Sequence, residues 1–185
     1  LFFRQVIETT HLPVLLYNIP ATIGLSIRLS VIERLAATRC IVGIKDSSGD
    51  MAYFSQIMAI KKKTGLIVFA GAEKIMKDAL FMGADGTVPA LGNVFPRLLT
   101  DLYDACMAGD KCLAEILQNK IDEITRFNAC TNSWQGIIAF RKKALSLMGL
   151  CSDRLTEPYL RIDDEKVNEI ARMLEEMKDW RPILQ

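Results

Sequence analysis

One lysine stands where covalent chemistry is easiest to arrange. In Cys40-Ile41-Val42-Gly43-Ile44-Lys45-Asp46-Ser47-Ser48-Gly49-Asp50, Lys45 closes an apolar run of strand character. It therefore sits at a strand's C-terminal end, where parallel α/β folds bind their ligands. An amine whose stem lies in an apolar wall is easier to discharge, because desolvation disfavours the ammonium. A neutral amine attacks a ketone and forms an iminium. The iminium withdraws electrons from the neighbouring carbon, so a carbon–carbon bond there can form or break without a cofactor. Position alone leaves a second reading open: a lysine that snorkels from the strand end and pairs with Asp46.

Tyr17-Asn18-Ile19-Pro20 ends an apolar run 28 residues before Lys45. One βα unit has about that length, so Tyr17 and Lys45 are expected on one rim, on adjacent strands. A phenol there can relay protons; the alternative is a half-buried rim aromatic. Gly43 shares the strand face of Lys45, and a glycine inside a strand marks close approach of backbone or ligand.

The elements that must hold these residues are legible as a pattern. Pro13–Ile19, Cys40–Lys45, Leu66–Gly71 and Asp85–Ala90 read as strands. They lack clean polar alternation, as strands buried on both faces do. Helical patterns at Arg28–Ala37, Met51–Lys63 and Glu73–Met82 lie between them, which predicts βαβ units and a parallel sheet. Leu1–Thr10 reads as the last turns of a helix already under way, with Phe2, Phe3, Val6 and Ile7 as one apolar stripe.

Beyond the fourth strand come four helical stretches, Phe95–Ala108, Lys111–Ala129, Gly136–Met148 and Glu165–Lys178, punctuated by Gly109 and Gly149. In the last, Val167, Ile170, Leu174 and Met177 share a face, with Asp163 or Asp164 as cap. The pattern fits either an open doubly wound sheet or half of an eight-stranded barrel. Residues 1–93 are assigned to the barrel half, and residues 94–185 to its last helix and a helical bundle.

Composition excludes several classes. With 23 basic and 22 acidic residues in 185, there is no basic field for nucleic acid. No apolar run approaches the ~20 residues that cross a bilayer. The five cysteines have no metal-ligand spacing, so no metal site is expected, and reduced cytoplasmic thiols are the reading. The glycines of Gly83-Ala84-Asp85-Gly86 do not make a dinucleotide fingerprint, and there is no P-loop. His11 reads as a turn residue, Trp134 and Trp180 as packing residues. Lys61-Lys62-Lys63 reads as a cluster complementing a helix dipole.

Tyr17-Asn18-Ile19-Pro20 followed by Gly43-Ile44-Lys45-Asp46 resembles the dihydrodipicolinate synthase / N-acetylneuraminate lyase superfamily of pyruvate-dependent class I aldolases. The likeness extends through Gly83–Gly86, the helix after Asn93-Val94-Phe95-Pro96, and Leu147–Pro158. It implies the C-terminal half of a (β/α)8 TIM barrel followed by a C-terminal helical extension. It also implies a cytoplasmic homo-oligomeric lyase, dimer or tetramer, that needs no cofactor. Its substrates would be pyruvate, or a related 2-oxo acid, and an aldehyde.

By the same resemblance Lys45 is the Schiff-base lysine and Tyr17 the proton shuttle that contacts the bound carboxylate. Gly43 matches the family's Gly-x-Lys glycine, and Val88 a strand position whose carbonyl lies near substrate. Ser47 and Glu73 match positions that contact substrate hydroxyls in the sialic-acid lyase branch. Their alternatives are helix N-capping for Ser47 and a solvated first-turn carboxylate for Glu73.

Thr22 stands where dihydrodipicolinate synthases carry an arginine for the aldehyde's carboxylate, and threonine cannot make a bidentate contact. That points to an aldolase of the 2-keto-3-deoxy sugar acid type. Dihydrodipicolinate synthase itself, which condenses pyruvate with aspartate semialdehyde, is the alternative. A non-catalytic relative of the same fold, and a flavodoxin-like sheet with a structural Lys45, also remain open. The Gly-Thr-Thr type carboxylate loop and second tyrosine of the family are absent from this sequence. An earlier part of the protein is expected to supply them.

Overall fold

A computed structural model describes residues 2–10, 12–38, 40–129, 134–159 and 161–180. His11 and Cys130 fall outside the described residues, as does the side chain of Trp134. Helix α1 (Phe2–Thr10) leads into strand β1 (Leu15–Asn18), a short helix α2 (Pro20–Ile23) and helix α3 (Leu29–Ala37). Strand β2 (Gly43–Asp46), helix α4 (Met51–Thr64) and strand β3 (Ile67–Ala70) follow. A 3-10 turn at Glu73–Ile75, helix α5 (Met76–Phe81) and strand β4 (Gly86–Thr87) complete the sheet.

The four strands run parallel in the order β1-β2-β3-β4. This is the βαβ series that the alternation of patterns predicts, and it is a partial barrel wall. Two compact units divide the chain: Leu1–Pro89 with Cys106–Asp110, and Ala90–Ala105 with Lys111–Gln185.

The first unit folds because α3 and α4 cover one face of the sheet. Leu16, Ile44 and Val68 lie on that face, one residue from each of three neighbouring strands, and all are buried. Ile32 and Leu35 of α3, with Phe54 and Ile57 of α4, belong to the same core. Burying each such side chain is worth about 1.5–3 kcal/mol.

The opposite face corrects the expectation of strands buried on both sides. Leu15, Tyr17 and Ile67 remain about two-fifths exposed, and the burial pattern along β1 alternates strictly. Four strands cannot close upon themselves, so nothing in this sheet covers the inner face. Its apolar residues suit a closed barrel's interior, which is why the sequence shows no polar alternation.

Local chemistry sets the helix ends. Asp50 caps α4, its carboxylate accepting from the N–H of Ala52 at 2.8 Å and of Tyr53 at 3.1 Å. The capping alternative for Ser47 is thereby displaced by three residues. Lys61, Lys62 and Lys63 occupy the last turn of α4, as the dipole reading expects. Lys61 pairs with Asp85 and Lys63 with Glu33.

The fourth strand is shorter than the run Asp85–Ala90 suggests, because Asp85 replaces part of the ladder. Its carboxylate accepts the Val68 N–H at 2.7 Å and the Lys61 ammonium. Burial pushes the Asp85 carboxyl up, but the Lys61 hydrogen bond, the Val68 N–H and the Lys61 charge outweigh it, and the net shift is downward. Past Thr87, Pro89 has no N–H to continue the pairing and the chain turns at Ala90–Asn93.

The apolar stripe of α1 is also divided. Phe3 and Ile7 pack against the core, while Phe2 and Val6 are exposed.

The second unit is helical. Helix α6 (Pro96–Met107), most of which belongs to it, is followed by α7 (Lys111–Ala129), α8 (Trp134–Leu147) and α9 (Asp164–Glu176). Gly109 and Gly149 adopt φ of 73° and 75° where helices end, a conformation that favours glycine. α8 packs against both α7 and α9. Ile170, Met173, Leu174 and Met177 are buried, and Val167 is half-buried. Asp163 occupies the N-cap position of α9 without a side-chain hydrogen bond. Among the described residues no helix is long and apolar enough to cross a membrane.

Candidate active site

The register of β1 and β2 pairs Tyr17 with Lys45 and Asn18 with Asp46. In-register neighbours on parallel strands share a face, and consecutive residues alternate between faces. Tyr17 and Lys45 therefore emerge together on the uncovered face, one residue before their strands end. Lys45 Nζ donates to Tyr17 Oη at 3.4 Å and lies 4.4 Å from the centre of its ring. The phenol is close enough to exchange a proton with a group forming on the amine, and a cation over the ring gains a further attraction.

The same alternation disposes of the ion-pair reading of Lys45. Asp46 points to the covered face and is fully buried. It accepts from Asn18 Nδ2 at 2.7 Å, Ser48 N–H at 3.2 Å and Ser48 Oγ at 2.8 Å. Its partners are an amide and a serine, not the neighbouring lysine.

Glycines make room around the amine. A Cβ on Gly43 would meet the Ile67 carbonyl oxygen at 2.6 Å and Leu15 Cδ1 at 2.7 Å. The backbone approach expected of Gly43 is therefore real, and it comes from the adjacent strands. Gly71, just past β3, matters more directly: a Cβ there would meet Lys45 Cε at 2.7 Å and collide with Ser47 Oγ. Ser47 is thus brought beside Lys45, and its N–H donates to the Asn18 carbonyl at 2.8 Å.

The remaining candidates are less close-knit. Thr22 is exposed on α2, its N–H bonded to the Ile19 carbonyl at 3.1 Å, and it makes no hydrogen bond to Tyr17 or Lys45. Glu73 opens the 3-10 turn after β3 and is half-buried. Val88 lies beyond β4, exposed, with its N–H donated to the Ala70 carbonyl at 2.8 Å. Among the described residues no group of three or more His, Cys, Asp or Glu is placed to hold a metal ion.

Sequence reasoning gave no role to Gly71, Asn18 or Tyr53. Asn18 Oδ1 accepts the Ile27 N–H at 2.9 Å, and Tyr53 Oη donates to the Ile27 carbonyl at 2.5 Å. Burial first, and the Asp46 charge second, push the Tyr53 phenol up to about 12. A signal for Asn18 was present, since Asn18 and Asp46 repeat the 28-residue interval of Tyr17 and Lys45. Nothing local marks Gly71; its closeness to Lys45 and Ser47 is set by side chains from another strand end.

Residues 1–177 match the model of the dihydrodipicolinate synthetase family. The chain belongs to that family. It is 30% identical over 175 residues to a 4-hydroxy-tetrahydrodipicolinate synthase of Methanococcoides burtonii, covering 95% of this chain and 59% of the relative. Its fold is similar to that of dihydrodipicolinate synthase from Bacteroides thetaiotaomicron, with a TM-score of 0.86 and 29% identity, covering 95% of this chain and 59% of the other. YagE, a prophage protein of the dihydrodipicolinic acid synthase family from E. coli K12, solved in complex with pyruvate, gives a TM-score of 0.85 and 26% identity over 96% of this chain and 60% of its own. The chain thus spans about three-fifths of the length of these family members.

Proposed function

We propose that the protein is a class I aldolase that joins pyruvate to an aldehyde, or reverses that reaction, through an iminium on Lys45. The observation that carries this reading is the Lys45 amine 3.4 Å from the Tyr17 hydroxyl at adjacent strand ends, in a member of this family. Lys45 Nζ adds to the keto carbon, and loss of the carbonyl oxygen as water leaves the iminium. Loss of a proton from the adjacent methyl gives an enamine, whose carbon attacks the aldehyde. Water then releases the product and restores the amine. Tyr17 relays protons at the addition and dehydration steps.

The names of the relatives support aspartate semialdehyde as the partner, making the reaction that of a dihydrodipicolinate synthase. The pyruvate held by YagE supports the oxo acid. A second reading, a 2-keto-3-deoxy sugar acid aldolase, is favoured by Thr22 at the position where an arginine would grip a carboxylate. Pyruvate consumption with aspartate semialdehyde, set beside pyruvate release from 2-keto-3-deoxygluconate, separates them. Turnover of the first supports the synthase and turnover of the second the sugar-acid enzyme. If neither turns over in folded protein, or if Lys45→Ala retains the activity, the proposal fails.

A further inference from the structure

We propose that Asn18 and Asp46 are a positioning pair that sets the separation of the Tyr17 phenol and the Lys45 amine, an inference that rests on the reading of those two residues as the reacting groups. Each member follows its reacting residue directly in sequence, and the two pairs occupy successive rows of the same strand pairing. The reacting row faces the open side and the Asn18–Asp46 row faces the core. A bond in the second row therefore fixes the first without occupying substrate space.

The bond is built to one geometry. Asn18 Oδ1 must accept from Ile27 N–H at 2.9 Å, so its Nδ2 is left to donate to Asp46 at 2.7 Å, and flipping the amide would break both. Ser48 holds both carboxylate oxygens of Asp46, and Tyr53 holds the Ile27 carbonyl. The chain Ser48–Asp46–Asn18–Ile27–Tyr53 thus ties the ends of β1 and β2 to the loop before α3 and to α4. The ladder continues through both residues, with Ser47 N–H on the Asn18 carbonyl and Gly71 N–H on the Asp46 carbonyl.

Stability alone gives little reason for this arrangement. A fully buried carboxylate is costly to desolvate, and apolar residues of similar volume often serve a core as well or better. Geometry gives a reason. At 3.4 Å the amine–phenol contact is near the outer limit of a hydrogen bond, so a few tenths of an ångström between the strand ends would break it.

The test uses Asn18→Ala, which removes the donor without adding charge, and Asp46→Asn, which keeps one oxygen for Asn18 Nδ2 and Ser48 N–H and turns its amide toward Ser48 Oγ. Asn18→Leu, closer in volume, replaces the first if it does not fold. The first readout needs no activity. In protein carrying 13C-labelled lysine, the Lys45 ε-methylene signal, assigned with Lys45→Arg, is shifted upfield by the Tyr17 ring, and Tyr17→Leu defines the unshifted position. The second readout is the rate at which pyruvate and borohydride label Lys45.

In Asn18→Ala the signal is expected to move at least halfway to the unshifted position, and labelling to slow at least tenfold. Asp46→Asn is expected to keep most of both. A merely structural pair would lower the melting temperature and leave the signal in place. Folded Asn18→Ala or Asn18→Leu with the wild-type signal overturns the proposal, as does folded Asp46→Asn with the unshifted one. If the signals behave as expected while wild-type protein takes no label, the positioning pair stands and the Schiff-base reading falls.

Discussion

Two glycines near the Lys45 amine are expected to fail in opposite ways when a methyl group is added. On Gly43 the new Cβ meets the Ile67 carbonyl oxygen at 2.6 Å and Leu15 Cδ1 at 2.7 Å. A carbonyl in a sheet ladder cannot step aside without moving its strand. Overpacking of this kind costs about 1–3 kcal/mol, less the ~0.4–1 kcal/mol that Gly→Ala returns by restricting the unfolded chain. On Gly71 the Cβ meets Lys45 Cε at 2.7 Å and the hydroxyl of Ser47, which can rotate away, and Ser47 Cβ at 3.2 Å, which must give by a few tenths of an ångström. Restoring an ordinary 3.4 Å contact requires Lys45 Cε to retreat by 3.4 − 2.7 = 0.7 Å. Misplacing a reacting group by about an ångström costs on the order of 10²-fold in rate. Gly71→Ala should therefore keep its melting temperature within a few degrees and lose ~10- to 100-fold in turnover. Gly43→Ala should melt several degrees lower. Differential scanning calorimetry and steady-state kinetics on both variants decide it. Full activity in Gly71→Ala, or an unchanged melting temperature in Gly43→Ala, would refute the reasoning.

Other changes probe separate parts of the account. Tyr17→Phe removes the proposed relay but not the proposed nucleophile, so turnover should fall about 10²–10⁴-fold while Lys45 can still be trapped by borohydride. Tyr53 has its phenol raised from 10.0 to about 12 by burial and the Asp46 charge. Its contribution is complete below pH 10 and is lost as pH rises from 10 to about 12. Denaturant titrations of wild type should weaken across that window, and Tyr53→Phe should flatten it; a persistent alkaline limb would assign it to another group. At Asp85 burial pushes the carboxyl up, but the Lys61 hydrogen bond, the Val68 N–H and the Lys61 charge together outweigh it; the group contributes stability above the ordinary carboxylate range and loses it as pH falls through the depressed pKa. Asp85→Asn keeps an acceptor for Val68 but loses the ion pair, so the expected cost near neutrality is only about 0.2–1 kcal/mol, with a shallower acid limb in urea titrations.

The elements were legible because parallel βαβ units write themselves as apolar runs and helical periods. Lys111–Ala129 coincides with α7, and Met51–Lys63 misses α4 by one residue. The run Asp85–Ala90 is longer than β4 because an apolar run does not reveal that the Asp85 carboxylate takes the Val68 N–H or that Pro89 ends the pairing. Tyr17 and Lys45 were legible because strand-end position and a 28-residue interval survive in the sequence. Ser47 was open to a capping role because Ser47, Ser48 and Asp50 all suit an N-cap, and only the backbone path selects Asp50. Gly71 was invisible for another reason: its importance lies in side chains that reach it from β2 and the residue just beyond that strand.

The central claim is that the Lys45 amine captures pyruvate as an iminium. Incubation with pyruvate and sodium borohydride, followed by peptide mass spectrometry, measures this bond directly. The account predicts one reduced pyruvyl adduct, on the peptide containing Lys45 and absent from Lys45→Ala. Folded protein that remains unlabelled, or that is labelled on a different lysine, would contradict it.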